Sequence, residues 1–389
     1  MLRLADVLRR HGPAYRARFG ARLLPSHLRA LDDITRCRTP AMGGHLAVCT
    51  QCDEQHLLFH SCRNRACPQC GHDTTERWLE RQRQLLLPVP YFHVVFTLPD
   101  ELRRLVRSHQ RVLVGALFRA AFDAVAALAR DEHFLGARIG ALAVLHTWTR
   151  TLEWHPHVHM LVPAGGLAPD GRTWRTLPRR KRRFLAPVRG LSKLFRGRFL
   201  ALARRALPHV TFPTIPWSKA WVVYAKPVAH GADQVLAYLG RYVHRTAMSD
   251  RALLAMDDHT VTFRYRDSRD HRDKVLTLPA AEMLRRFLQH VPPKGMHRVR
   301  AFGLLHPNER ATLRRLQLLL APRTADADEP EPDAPTRART RCAHCGAAGL
   351  AILRRIEPDF TVDARGEIDR PTPQARAPPG QPARASPAP

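Results

Sequence analysis

Three histidines, His155, His157 and His159, alternate through the short apolar run 154-WHPHVHMLVP-163. A period of two is strand geometry, so the three imidazoles leave one face of the strand. One histidine on an apolar face is commonly a satisfied core residue. The His157–Val158–His159 pattern is different: two neutral imidazoles stand side by side, which suits a divalent cation. Segments 141-ALAVLHTW-148 and 157-HVHMLVP-163 are close enough to pair as a hairpin centred near Arg150–Thr151–Leu152. That pairing sets His146 opposite His157 on the same face, as a third ligand. His155 is the alternative, although Pro156 disturbs the strand there.

A second set lies in 233-DQVLAYLGRYVHRTA-247. Gln234, Tyr238 and Tyr242 are spaced i, i+4, i+8 and share one helix face, beside an apolar stripe of Val235, Leu239 and Val243. A tyrosine oxygen can attack a DNA phosphodiester and become a phosphotyrosine. Free tyrosine has a pKa of about 10 and needs help at neutral pH. A cation on His157 and His159, with His146 or Gln234 completing its shell, would polarise the phosphate. The covalent link conserves the bond energy, so rejoining needs no nucleotide, in keeping with a chain that shows no G-x-x-x-x-G-K-[ST] loop. The bland reading of the same tyrosines is the rim of an amphipathic helix.

The third set is cysteine. Two C-x-x-C pairs, 49-CTQC-52 and 67-CPQC-70, stand at zinc-ribbon separation, so Cys49, Cys52, Cys67 and Cys70 are expected to hold one structural Zn²⁺. Cys37 and Cys62, with His45, His56, His60 and His72 nearby, offer ligands for a second zinc that spacing does not fix. The late pair in 342-CAHCG-346 has no partner pair and is assigned no role. Arg63 and Arg65, between the ligands, are expected to touch DNA. Eight cysteines in a chain read as cytoplasmic argue for metal rather than disulfides.

These residues need elements to carry them. Alternating strand-like and helix-like stretches between about 86 and 320, with two hairpins, predict an α+β fold with a central antiparallel sheet flanked by helices. Strands are expected at 91–99, 141–148, 157–163, 220–227, 260–267 and 274–279. Helices are expected at about 100–131, 190–206, 232–246 and 280–291. Residues 1–35 read as a basic helical segment, 36–85 as a small zinc-ribbon-like domain and 86–320 as the catalytic domain. Residues 321–389, rich in Pro, Ala and charge, read as a disordered tail with one C-x-x-C. No run of about 18 apolar residues stands out, and the N-terminus has no apolar signal core, so neither a membrane span nor secretion is expected.

The net charge of +29 favours a polyanionic partner, with nucleic acid first. An Arg-rich background composition is the bland alternative. Single-stranded DNA would be held by Arg241, Arg245, Arg264 and Arg266, with Trp148 for stacking.

Taken in order, 36-RCRTPAMGGHLAVCTQC-52, 61-SCRNRACPQC-70, 91-YFHVVFTLPDEL-102, 155-HPHVHMLVPAGGL-167, 235-VLAYLGRYVHR-245 and 290-HVPPKGMHRVRAFGLL-305 give the chain a family likeness. It resembles the two-tyrosine rolling-circle transposases of the insertion-sequence-ninety-one type, in the His-hydrophobe-His endonuclease superfamily. The resemblance spans roughly residues 30–320. It implies a zinc-binding N-terminal domain and Mg²⁺ or Mn²⁺ on His157 and His159. It also implies that Tyr238 and Tyr242 cleave single-stranded DNA at transposon ends through a 5′-phosphotyrosine, before strand transfer to target DNA. One departure is 65-RACP-68, where the family reads R-H-C-P. Ala66 removes one ligand expected for a second zinc, and His60 is the nearest substitute. The competing readings are a non-catalytic zinc-dependent DNA-binding protein and a replication initiator or relaxase of the same chemistry. A three-carboxylate transposase is disfavoured by the scarcity of acidic residues in the body.

Overall fold

The computed structural model describes residues 1–177, 187–215, 218–228, 246–267, 269–321, 341–362 and 368–369. Its helices are α1 (Leu4–Phe19), α2 (Pro25–Arg36), α3 (Pro68–Arg83), α4 (Arg103–Ser108), α5 (Gln110–Arg130), α6 (Val188–Ala206), α7 (Ala280–Leu288) and α8 (Arg310–Leu320). Its strands are β1 (Gly44–Cys49), β2 (Gln55–Phe59), β3 (Tyr91–Thr97), β4 (Gly140–Trp148), β5 (Trp154–Pro163), β6 (Gly165–Leu167), β7 (Trp174–Thr176), β8 (Val223–Val228), β9 (Leu253–Met256), β10 (Thr260–Arg266), β11 (Asp273–Pro279), β12 (Val299–Gly303), β13 (Leu350–Ile356), β14 (Thr361–Val362) and β15 (Ile368–Asp369).

The chain forms two compact units, one of residues 1–35 and 63–330, the other of residues 36–62 and 331–389. The first is built on a five-stranded sheet of order β12-β4-β5-β3-β8, antiparallel throughout. Alternation divides its faces. Phe92, Val94 and Phe96 of β3, Ala141, Ala143 and Leu145 of β4, and Val158, Met160 and Val162 of β5 join the main core with α5 and α6. The intervening residues, His93, Val144, His146, His157 and His159 among them, face the other way. There Tyr91, Leu142, Val144 and Leu161 form a smaller apolar cluster with Leu313 and Leu316 of α8. A second antiparallel sheet, β11-β10-β9, leads into α7.

α5 is long and apolar enough to cross a membrane, a stretch the sequence reading passed over. Most of its apolar residues are buried in the main core, the environment of a core helix. The expected single helix over 100–131 is two, because His109 leaves helical geometry at φ −117, ψ 43. The expected helix over 232–246 lies mostly outside the described residues.

The second unit contains a three-stranded sheet of order β13-β1-β2. The expected segmentation therefore does not hold here. Residues 36–62 fold with the C-terminal region rather than with 63–85, and 341–356 is structured rather than tail. The physical reason is pairing: β13 runs antiparallel to β1 from Gly44↔Ile356 to Cys49↔Leu350. The residues at 322–340 and 370–389 lie outside the described set.

Candidate active site and metal centres

β4 and β5 pair with His146 directly opposite His157. Their Nδ1 or Nε2 atoms and those of His159 lie within 4.8 Å of one another. The ring centroids of His146 and His159 are 4.4 Å apart, and those of His157 and His159 are 4.9 Å apart. Hydrogen bonds orient the rings. Nδ1 of His157 is 2.7 Å from the His155 carbonyl oxygen, to which only an N–H can donate. The proton therefore sits on Nδ1, and the Nε2 lone pair is turned to the site. Nδ1 of His159 is 2.8 Å from Nε2 of buried His93 on β3. Burial, with nearby Lys226 and His157, pushes His93 down to about 4. Burial also pushes His157 down to about 4, and His159 further still, the latter aided by the other histidines. These three imidazoles are neutral at pH 7, the form a metal ligand requires. His155, the alternative third ligand, instead accepts from Arg103 Nη2 at 2.6 Å.

The hairpin that carries the triad is clamped from outside. Leu152, at its turn, is buried with φ 63, a left-handed conformation costly for leucine. Its carbonyl accepts from Gln289 Nε2 at 2.7 Å and His290 Nε2 at 3.0 Å. His290 also accepts, on Nδ1, from the Thr147 hydroxyl at 3.1 Å, so one neutral imidazole spans both strands' ends. Burial pushes its pKa down to about 3, aided by Arg107 and Arg298. Trp148 stacks on His146 at 4.7 Å, and the Arg298 guanidinium lies 5.2 Å from its ring centre.

Gln234, Tyr238, Arg241, Tyr242 and Arg245 lie outside the described residues. The chain leads towards them from β8, whose Lys226 pairs across from His93. Arg63 is exposed at φ 53. Arg65 donates to the Met296 carbonyl at 2.8 Å and lines a cavity of about 380 Å³ with Trp78, Arg298 and Arg310. Arg264 and Arg266 donate to the Arg251 and His271 carbonyls.

The cysteines do not group as the spacing suggested. Cys49 Sγ is 3.6 Å from Cys345 Sγ, and Cys52 Sγ is 3.7 Å from Cys342 Sγ, with all four within 4.8 Å. The expected set of Cys49, Cys52, Cys67 and Cys70 is thus replaced. The reason is strand pairing: β13 running along β1 sets Cys342 and Cys345 beside Cys49 and Cys52. Cys67 and Cys70 instead open α3, with the Cys70 amide on the Cys67 carbonyl at 3.3 Å. Cys37 and Cys62 meet in the second unit, where the Cys62 amide lies 3.5 Å from Cys37 Sγ. His60, the suggested substitute at Ala66, is held by the Met42 carbonyl at 3.2 Å and packs on His45.

Residues 7–98 match the family model described as "Transposase zinc-binding domain", and residues 140–312 match one described as "Putative transposase". The chain is 42% identical over 321 residues to "Putative transposase y4qJ" of Sinorhizobium fredii, covering 78% of this chain and 80% of that protein. It is 34% identical over 293 residues to "Transposase for insertion sequence element IS801" of Pseudomonas savastanoi pv. phaseolicola, covering 69% and 68%. The chain belongs to the IS91-type transposase family. No solved structure matches it.

The transposase acts on DNA, and Zn²⁺ is the metal of its cysteine-rich module. Three of its site residues escaped the sequence reading. His93 left a signal, since an odd-numbered histidine in the alternating strand 91-YFHVVFT-97 must leave the core face with Tyr91. His290 and Gln289 left none, because they reach the hairpin of this transposase from more than a hundred residues away.

Proposed function

We propose that the transposase nicks single-stranded DNA at transposon ends with Tyr238 or Tyr242 and transfers the strand by a rolling-circle-like route. The observation that carries this reading is the trio of imidazoles, His146, His157 and His159, converging on one sheet face. Their donor set fits a divalent cation, Mg²⁺ or Mn²⁺, and Gln234 is a further candidate ligand. When bound, the cation polarises the scissile phosphate and offsets developing negative charge.

The phenol oxygen of one tyrosine bonds to phosphorus as the bond to the 3′ oxygen breaks. The phenol gives up its proton and the departing 3′ oxygen gains one. The 5′ end stays on the protein as a phosphotyrosine until a 3′ hydroxyl reverses the step. Two tyrosines let one hold a 5′ end while the other attacks. Arg63, Arg65, Arg241 and Arg245 contribute phosphate contacts, and the net charge of +29 supports a polyanionic substrate.

The test is a 3′-labelled single strand carrying the element end, incubated with the full chain and Mn²⁺ and resolved under denaturing conditions. A labelled protein adduct is expected, lost in the double variant Tyr238→Phe, Tyr242→Phe. An adduct that survives in that variant refutes the nucleophile assignment. No adduct from the unaltered chain refutes the transesterase reading.

A further inference from the structure

The pair Cys342–Cys345 lies far beyond the residues 7–98 matched to the zinc-binding domain. Its backbone turn nevertheless reproduces that of Cys49–Cys52. In the first pair, the Asp53 amide donates to the Cys49 carbonyl at 3.0 Å, and the Cys49 amide donates to the Glu54 carbonyl at 2.9 Å. In the second, the Gly346 amide donates to the Cys342 carbonyl at 3.0 Å, and the Cys342 amide donates to the Ala347 carbonyl at 2.9 Å. The residue after each second cysteine is left-handed: Asp53 at φ 57 and Gly346 at φ 74. A backbone amide also approaches the first sulfur of each pair, Gln51 to Cys49 at 3.4 Å and Cys345 to Cys342 at 3.5 Å.

Two such turns, sulfur to sulfur, are the two halves of a zinc ribbon. A tetrahedral thiolate site with Zn–S of about 2.3 Å sets its sulfurs about 3.8 Å apart. The 3.6 and 3.7 Å separations fit it. Outer partners are present as well. His56 Nε2 lies 3.1 Å from Cys342 Sγ, and the Thr50 amide and hydroxyl both donate to the Gly349 carbonyl at 3.1 Å. β13 then continues along β1.

We infer that Cys49, Cys52, Cys342 and Cys345 together bind one Zn²⁺, so that the C-terminal region supplies half of the zinc ribbon. The region after residue 340 is therefore a working part of the zinc module rather than an appendage. Nothing in this depends on the tyrosine chemistry.

Zinc content per chain tests it. Cys49→Ser/Cys52→Ser and Cys342→Ser/Cys345→Ser should each lose one equivalent relative to the unaltered protein. The quadruple variant should also lose only one. Full zinc retention in the Cys342→Ser/Cys345→Ser variant, or loss of two equivalents in the quadruple, would overturn the assignment. A second measurement uses the unaltered full chain and needs no variant to fold. Cys345 is solvent-exposed, so burial cannot shield it from a maleimide. Ligation can: Cys345 should resist alkylation in the zinc-loaded protein and react within the same interval after a chelator is added. Equal labelling with and without chelator would refute ligation.

Discussion

Two of the transposase's clusters of metal-ligating side chains are built on opposite plans. The histidine triad draws all its members from one hairpin, with the loop 149–153 between them. The four-cysteine group joins turns whose sulfurs are 290 and 296 residues apart in sequence. The difference sets what each site depends on. In the first, strand register alone puts the imidazoles together, and the sheet core holds them whether or not a cation is present. In the second, short strands meet around a sulfur cluster with few large buried residues, and metal binding is part of folding.

The sharpest way to probe that contrast is to remove a ligand from the rigid site. His159→Ala should abolish adduct formation, by about a thousandfold (~4 kcal/mol at about 1.4 kcal/mol per decade). Zinc content should stay unchanged. A variant that loses zinc along with activity would mean the two sites are not independent.

His93→Phe should act more mildly. For His159 Nε2 to face a cation, its Nδ1–H must donate to His93 Nε2. Phenylalanine removes that acceptor while filling the space. The Mn²⁺ concentration for half-maximal cleavage should rise about 10- to 100-fold. Most of the maximal rate should return at high Mn²⁺. A lower rate with unchanged metal dependence would make His93 a packing residue only.

The same contrast explains what the sequence disclosed. The antiparallel α+β layer and the His146–His157 register were legible, because adjacent strands around a short loop follow from period-two alternation. The zinc partners of Cys49 and Cys52 were not. Spacing favoured the nearest second pair, Cys67–Cys70, whereas the pairing of β13 with β1 sets Cys342–Cys345 there. The glycine after Cys345 was the overlooked sign of a knuckle. The flanking Pro-rich composition masked 350-LAILRRI-356, whose backbone pairs with β1 even though its side chains are largely exposed. Gln289 and His290 fell at the end of the helix expected at 280–291 with no role assigned, since a clamp made by tertiary packing has no periodicity.

That clamp gives the next effect. The folded pKa of His290, about 3, lies below its ordinary 6.5, so the unfolded chain binds the proton first. Its contribution to stability is complete above about pH 6.5 and is lost as pH falls towards 3. Arg107, Arg298 and Arg285 face it and add to the depression. All six tryptophans lie within residues 63–330, so their fluorescence reports that unit alone. His290→Gln should lower the urea midpoint at pH 7 and flatten its decline between pH 6.5 and 4 by about one proton's worth. An equally steep decline in the variant would remove His290 as the source.

The smallest effect distinguishes the two knuckles from each other. A Cβ at Gly346 meets nothing within 4 Å, so Gly346→Ala is resisted only by φ 74, at about 1 kcal/mol. Because zinc binding and folding of this module are one equilibrium, that cost should appear as a roughly fivefold lower zinc affinity in a chelator titration. Asp53 occupies the matching position at φ 57 with a side chain that tolerates it better than most. Asp53→Gly should therefore raise the affinity, by about twofold or less. Opposite signs at matched positions are what one shared tetrahedral site demands. If Gly346→Ala leaves zinc affinity untouched while Asp53→Gly shifts it, the second turn is not holding the metal that the first one holds.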